Sequence, residues 1–104
     1  MTQIDPNIPK LVDLKRKAQE RRLLEITNEM RGLEQKLAEV MQEMQRIDSR
    51  QDEFGRMSVE NGYLNYVNHR RAALIRQIEV LKEQANEAQN QLRKSVFSQS
   101  MLQN

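Results

Sequence analysis

An all-α fold, two long helices paired as an antiparallel coiled-coil hairpin, is predicted by three features of this 104-residue chain. Leu23, Ile26, Met30, Leu33, Leu37, Val40, Met44 and Ile47 recur in alternating steps of three and four. Leu64, Val67, Arg71, Leu74, Ile78, Leu81, Ala85, Ala88 and Leu92 continue the same alternation. Between the two runs, the segment from Ser49 to Gly62 loses the pattern and holds two of the three glycines. Steps of three and four keep one stripe turned toward a partner helix, with Leu23, Met30, Leu37 and Met44 at a positions and Ile26, Leu33, Val40 and Ile47 at d. Folding the chain back matches Met44 with Val67, Val40 with Arg71, Leu37 with Leu74, Leu33 with Ile78, Met30 with Leu81 and Ile26 with Ala85. A slip by one heptad would superpose the series equally well, so the loop length selects this register. A parallel dimer, a form of self-association, would use the same stripe.

Each element follows in order. Pro6 and Pro9 disfavour helix before about Lys10, which makes residues 1–8 a flexible N-terminal arm. Helix 1 is expected over about 9–50. Leu11, Leu14 and Ala18 carry the stripe at its start, out of phase with Leu23, because Arg16 and Gln19 fall where a and d would be. Gly32 sits at an outward c position, where glycine costs about 1 kcal/mol relative to alanine. The turn is expected over about 51–58, with Gly55 able to take the left-handed conformation that reverses the chain and Ser58 available as a helix N-cap. Helix 2 is expected over about 59–97, so that the coiled-coil hairpin occupies 9–97. The Ser- and Gln-rich remainder, 98–104, reads as a frayed C-terminal tail.

Composition excludes several classes of function. The absence of cysteine rules out disulfides and cysteine-ligated metals. Two helices have no third layer with which to enclose a catalytic cleft, and neither a phosphate-binding loop nor a nucleophile paired with a base is present. His69, the only histidine, has no second ligand at metal-binding spacing. The expectation is a non-enzymatic protein with no cofactor, no metal and no small-molecule substrate. No window approaches the ~20 apolar residues of a membrane span, and Met1 to Pro9 lacks the basic and apolar regions of a signal peptide. Cytoplasmic localisation without membrane insertion follows as the expectation.

Charge is segregated along the chain. Lys10, Lys15, Arg16, Lys17, Arg21 and Arg22 stand against only Asp13 and Glu20, and the hairpin brings Arg93 and Lys94 beside them. Between Glu25 and Glu60 nine acids face five bases, and Arg70, Arg71 and Arg76 of helix 2 would lie next to Glu43, Glu39 and Glu34. Glu43 and Arg70 would face each other at g positions and help to set orientation. The basic end has no such counterpart. Phe54, Tyr63, Tyr66 and Phe97, the only aromatics, lie outside the basic run, which argues against nucleic acid. Leu11, Val12 and Leu14 are too few for a membrane-surface helix. A plain solvated face or an acidic protein partner remains.

Three seam features bear on partners. Arg71 at an a position either snorkels toward Glu39 or Glu43 or fixes the register. Ala85 and Ala88 either let the helices approach closely or leave a groove for a third helix. Leu24, Met41, Tyr66, Ile75 and Val80 lie off the seam and could supply a partner contact.

The stretch Tyr63-Leu64-Asn65-Tyr66-Val67, then Arg70-Arg71 and IRQIEVLKEQANEAQNQL, opens a second coiled-coil helix after a short polar turn. A short arm, a basic segment (LVDLKRKAQERRLLE) and an acidic heptad run precede it. The chain thereby resembles the FliJ-type proteins of bacterial flagellar and type III secretion export systems, whose second helix is usually longer. The resemblance implies a central stalk that binds and stimulates the hexameric export ATPase and contacts the export gate or export chaperones, at the cytoplasmic face of a membrane export complex. It also implies that Lys15, Arg16, Lys17, Arg21 and Arg22, with Arg93 and Lys94, meet the ATPase ring or the gate. Tyr63 and Tyr66 are counted with them as candidate protein contacts. The alternative from a different class is a coiled-coil chaperone or assembly scaffold that binds helical clients in a groove by Ala85 and Ala88.

Overall fold

A computed structural model of the chain describes residues 7–49, 56 and 62–103. It consists of two long helices, α1 (Asn7–Ser49) and α2 (Tyr63–Gln103), with no strand among the described residues. Both helices are rich in Leu, Ala, Glu, Gln, Lys, Arg and Met, the residues that lose least on entering a helix, and no proline follows Pro9. Each helix contributes to two compact units, one of residues 29–81 at the turn end and one joining residues 1–28 to 82–104 at the open end.

In the turn-end unit, Val40, Ile47, Val67 and Leu74 form a buried cluster against which Leu33, Leu37, Met44 and Leu64 pack. These are the a and d residues of the two runs, and a fully buried aliphatic side chain of this kind stabilises by about 1.5–3 kcal/mol. The d residues Val40 and Ile47 are buried, while the a residues Leu37 and Met44 are half-buried. Arg71 is exposed, and no ion pair joins it to Glu39 or Glu43 among the described residues. The expected pair of Glu43 with Arg70 is also absent there. Glu43 instead accepts a hydrogen bond from the Tyr63 hydroxyl, a shorter reach than two flexible charged side chains meeting in water.

α2 begins at Tyr63, later than the expected start near 59, and the preceding residue explains why. Gly62 has φ of 73°, in the left-handed region, and its carbonyl accepts the first helical bond, from the Tyr66 amide at 3.1 Å. Gly62 is thus a left-handed glycine at the entrance to α2. Gly55, Ser58 and all of the expected turn over 51–58 except the exposed Arg56 lie outside the described residues.

The open-end unit departs most from expectation. Leu11 and Leu14 are both 62% exposed, and Ala18 is exposed as well, while Val12, Arg16 and Gln19 are half-buried. The heptad phase of Leu23 and Ile26 thus continues unbroken to the start of α1, and the out-of-phase apolar trio points outward. Ser95 is buried at 6% and its hydroxyl donates to Gln19 Oε1; Gln99 Nε2 donates to Asp13 Oδ1 at 3.2 Å. As the α1 number rises from 13 to 19, its α2 partner falls from 99 to 95, the signature of antiparallel pairing in this unit. Side-chain hydrogen bonds replace apolar packing there.

Those bonds also account for two displaced boundaries. The tail expected to fray from 98 is helical to Gln103, because Ser95 and Gln99 tie it to α1 and the Ser98 hydroxyl returns to the Lys94 carbonyl at 2.9 Å. At the other terminus α1 starts at Asn7 and includes Pro9, since a first-turn amide has no intrahelical acceptor and its absence costs nothing. In the alanine layer Ile26 is 2% exposed and Ala88 9%, while Ala85 is half-buried.

Candidate protein-binding surfaces

Of the basic residues that the sequence singles out, the structure commits some internally and leaves others presented. Arg16 occupies a seam position, where its guanidinium donates to Asp13 at 2.8 Å and to Glu20 at 2.6 Å, and its Nε is buried without a partner. The Asp13 bond holds the Arg16 guanidinium above its already high ordinary value. In return the bonds from Arg16, and next from Lys17, hold the Asp13 carboxyl below its usual range. Lys17 reaches Asp13 at 3.1 Å, and Arg22 lies 4.0 Å from Glu25. Lys15, Arg21, Arg93 and Lys94 have no ion pair among the described residues.

The four unpaired cations divide between surfaces. Lys15 and Lys94 line one groove of about 360 Å³ with Val12, Gln19, Gln91 and Ser98, floored by the buried Ser95. Arg93 lines another, of about 560 Å³, whose walls are Leu23, Leu92, Val96 and Phe97 with Gln89 and Ser100. Arg21 stands on neither and is exposed on α1. The first groove is cationic over amide and hydroxyl groups, suited to a carboxylate. The second is apolar with a single charge at its edge.

Tyr63 and Tyr66 belong to the turn-end unit, whereas Lys15, Arg16, Lys17, Arg21, Arg22, Arg93 and Lys94 belong to the open-end unit. Their rings stack at 6.4 Å between centroids and 28° between planes, and both are exposed. The turn-end unit has its own open groove of about 570 Å³, where Leu33, Ala73, Val80 and Leu81 lie between Glu29 and Arg76. His69 is exposed, and no group of three or more His, Cys, Asp or Glu converges as metal ligands among the described residues. No described helix is long and apolar enough to cross a membrane.

The groove of Leu23, Leu92, Val96 and Phe97 is not among the sequence-based expectations, although those residues fall within the expected helices. Continuing the α2 heptad phase from Leu92 to Ser95, Gln99 and Leu102 would have exposed it. Those expectations do place Arg16 among the partner contacts, although Asp13 three residues before and Glu20 four after are the spacings at which a helix pairs its own charges.

By fold, the chain is a two-helix antiparallel coiled-coil hairpin, and the grooves described on it are open. Comparison with protein families, with curated proteins and with solved structures finds no match.

Proposed function

We propose that this protein is a non-enzymatic coiled-coil component of a flagellar or type III protein export apparatus, working in the cytoplasm at the face of the membrane complex. In this reading it binds and stimulates the export ATPase and contacts the export gate or export chaperones. One observation carries the reading beyond the sequence resemblance: Lys15, Arg21, Arg93 and Lys94 of the open-end unit have no ion-pair partner among the described residues. Unpaired cations on a helical surface attract an acidic protein face and set the rate and orientation of encounter.

The test is stimulation of ATP hydrolysis by a purified flagellar or type III export ATPase, with binding measured at rising salt. Wild-type chain is expected to raise turnover, and its affinity to fall as salt screens the contact. Changing Lys15, Arg21, Arg93 and Lys94 together to Glu should abolish both effects while helicity is retained, because none of the four holds the seam. Stimulation that survives this change would remove the basic surface from the mechanism.

The scaffold reading is favoured by a different observation, the apolar groove of Leu23, Leu92, Val96 and Phe97. A helical client held there would bind with little sensitivity to salt. Phe97→Asp would then release it, whereas the four-residue charge change would not.

A further inference from the structure

The exposed trio on α1 has a pattern of its own. Leu11, Leu14, Ala18 and Arg21 are spaced by three, four and three, the a/d alternation of a coiled coil, and all four are exposed. They lie on the side of α1 away from Val12, Gln19 and Ile26, which face α2. In the heptad frame that puts Leu11 and Ala18 at a and Leu14 and Arg21 at d, the flanking g positions are Lys10 and Lys17, and the flanking e positions are Lys15 and Arg22. Every flank of this second seam is a cation.

Flanking e and g charges select the partner of a coiled-coil seam: like charges across them repel, and opposite charges attract. A second copy of the chain would place four cations against four cations, which disfavours self-association through this face. A partner with carboxylates at its own e and g positions would complement it. Lys10 and Lys15 are without an ion pair among the described residues. In the Lys17 bond to Asp13 and the Arg22 contact with Glu25 the cationic side chains are more than half exposed, and cations exposed to this degree can exchange such a contact for a partner's carboxylate. The apolar strip itself is only two heptads long, so the charges contribute a large share of recognition.

We propose that the outward face of α1, with Leu11, Leu14 and Ala18 as its ridge, docks one amphipathic helix of another protein whose apolar ridge is flanked by Glu or Asp. This rests on the reading above that the open-end cations meet a partner, and it specifies the chemistry of that partner as an acidic-flanked helix packed on α1 opposite to α2.

The probe is a labelled peptide of about three heptads with Leu at a and d and Glu at e and g, titrated with the full-length chain by fluorescence anisotropy. The acidic peptide is expected to bind at least about tenfold more tightly than its counterpart with Lys at e and g. Leu11→Asp with Leu14→Asp should weaken acidic-peptide binding about tenfold or more, with helicity and melting unchanged because neither residue packs against α2. Lys10→Glu, Lys15→Glu, Lys17→Glu and Arg22→Glu together should reverse the preference toward the Lys peptide. Failure of both peptides to bind, equal binding of the two, or indifference to the Leu11 and Leu14 changes would each overturn the proposal. So would co-sedimentation with phosphatidylserine vesicles, or a dimer by light scattering, that the Leu11 and Leu14 changes abolish, since the face would then serve a membrane or a second copy. Peptide binding without stimulation of an export ATPase would leave this docking seam standing and remove the export reading. Stimulation without peptide binding would do the reverse.

Discussion

The two units of this hairpin follow the same heptad phase, but beyond the apolar layer of Ile26 and Ala88 the open-end unit fills it with polar chemistry. At the turn end, the seam is aliphatic: Val40, Ile47, Val67 and Leu74 are buried together with Leu33, Leu37, Met44 and Leu64 against them. At the open end, Gln19 and Asp13 of α1 accept hydrogen bonds from Ser95 and Gln99 of α2, and Arg16 bonds Asp13 within α1. Aliphatic burial contributes most of the free energy that pairs two helices, whereas a hydrogen bond exchanged with water contributes about 0.5–1.5 kcal/mol net but demands a particular partner. The comparison teaches a division of labour: the turn end holds the hairpin together, and the open end fixes which residues face each other while leaving its apolar and basic side chains outside.

The largest expected effect tests the first half of that contrast. Leu74→Ala removes a side chain 7% exposed within the turn-end cluster and should cost about 2–3 kcal/mol, read as a lowered midpoint in urea by circular dichroism. Two helices bury a single stripe, so a loss of that size should leave much of the chain unfolded at room temperature. A cost no larger than that of Ser95→Ala would mean that the turn end is not the stabilising half.

The second prediction reverses the sign. Gln19→Leu combined with Ser95→Ala replaces a buried hydrogen-bonded pair at d positions by apolar groups, and removing both partners together strands neither. Stability should rise by about 1 kcal/mol, measured by the same denaturation, while uniqueness of register falls and shows as broadened amide resonances for the open-end residues. A loss of stability would show that the polar seam contributes energy as well as register.

How much of this was legible in the sequence also differs between the units. The turn-end seam could be read from apolar periodicity alone, since Leu33 to Ile47 and Leu64 to Leu74 have no competing phase. Over residues 11–22 two alternations coexist: Leu11, Leu14 and Ala18 are apolar and out of phase, whereas Val12, Arg16 and Gln19 are mostly polar and in phase. Apolarity argued for the wrong one. What decides is that a continuous helix cannot change phase between Arg16 and Leu23 without an inserted stutter, together with side-chain bonds to Ser95 and Gln99 that a search for apolar residues overlooks. The candidate site suffered in the same way. The proximity of Lys15 and Lys94 follows from the antiparallel pairing, but the groove of Val96 and Phe97 is completed by Ser100, in a stretch whose serines and glutamines resemble a tail until their hydrogen-bond partners are known.

A smaller effect is confined to the turn-end unit, where two glycines should respond in opposite directions. At Gly62 a Cβ would meet no atom within 4 Å, yet φ is 73°. Gly62→Ala should therefore destabilise by about 1 kcal/mol through backbone strain alone. At Gly32, inside α1, there is also nothing within 4 Å and no positive φ, so Gly32→Ala should stabilise by up to about 1 kcal/mol through helix propensity. Thermal melts of the two variants against wild type read both. Equal signs would detach Gly62 from the start of α2.

The smallest effect separates the units by pH. Asp13 binds its proton more weakly in the folded chain than in the unfolded one, because Arg16 and then Lys17 bond its ionised carboxyl. A depressed folded value means that the group favours folding fully above the ordinary carboxyl value of 3.8, and that this contribution disappears as pH falls through the lower folded value. Acid should therefore loosen the contact of Asp13 with Arg16 and Gln99, whereas the aliphatic turn-end seam has no corresponding bond to lose. Hydrogen exchange measured from neutral pH down through this window should show protection of α2 near Gln99 declining in wild type. In Asp13→Asn the same amides should already be less protected at neutral pH and should change less with acid, because the carboxylate that Arg16 and Lys17 recognise is gone. An identical acid response in the two proteins would assign the loosening to the other carboxylates and take Asp13 out of the lock that holds the open-end register.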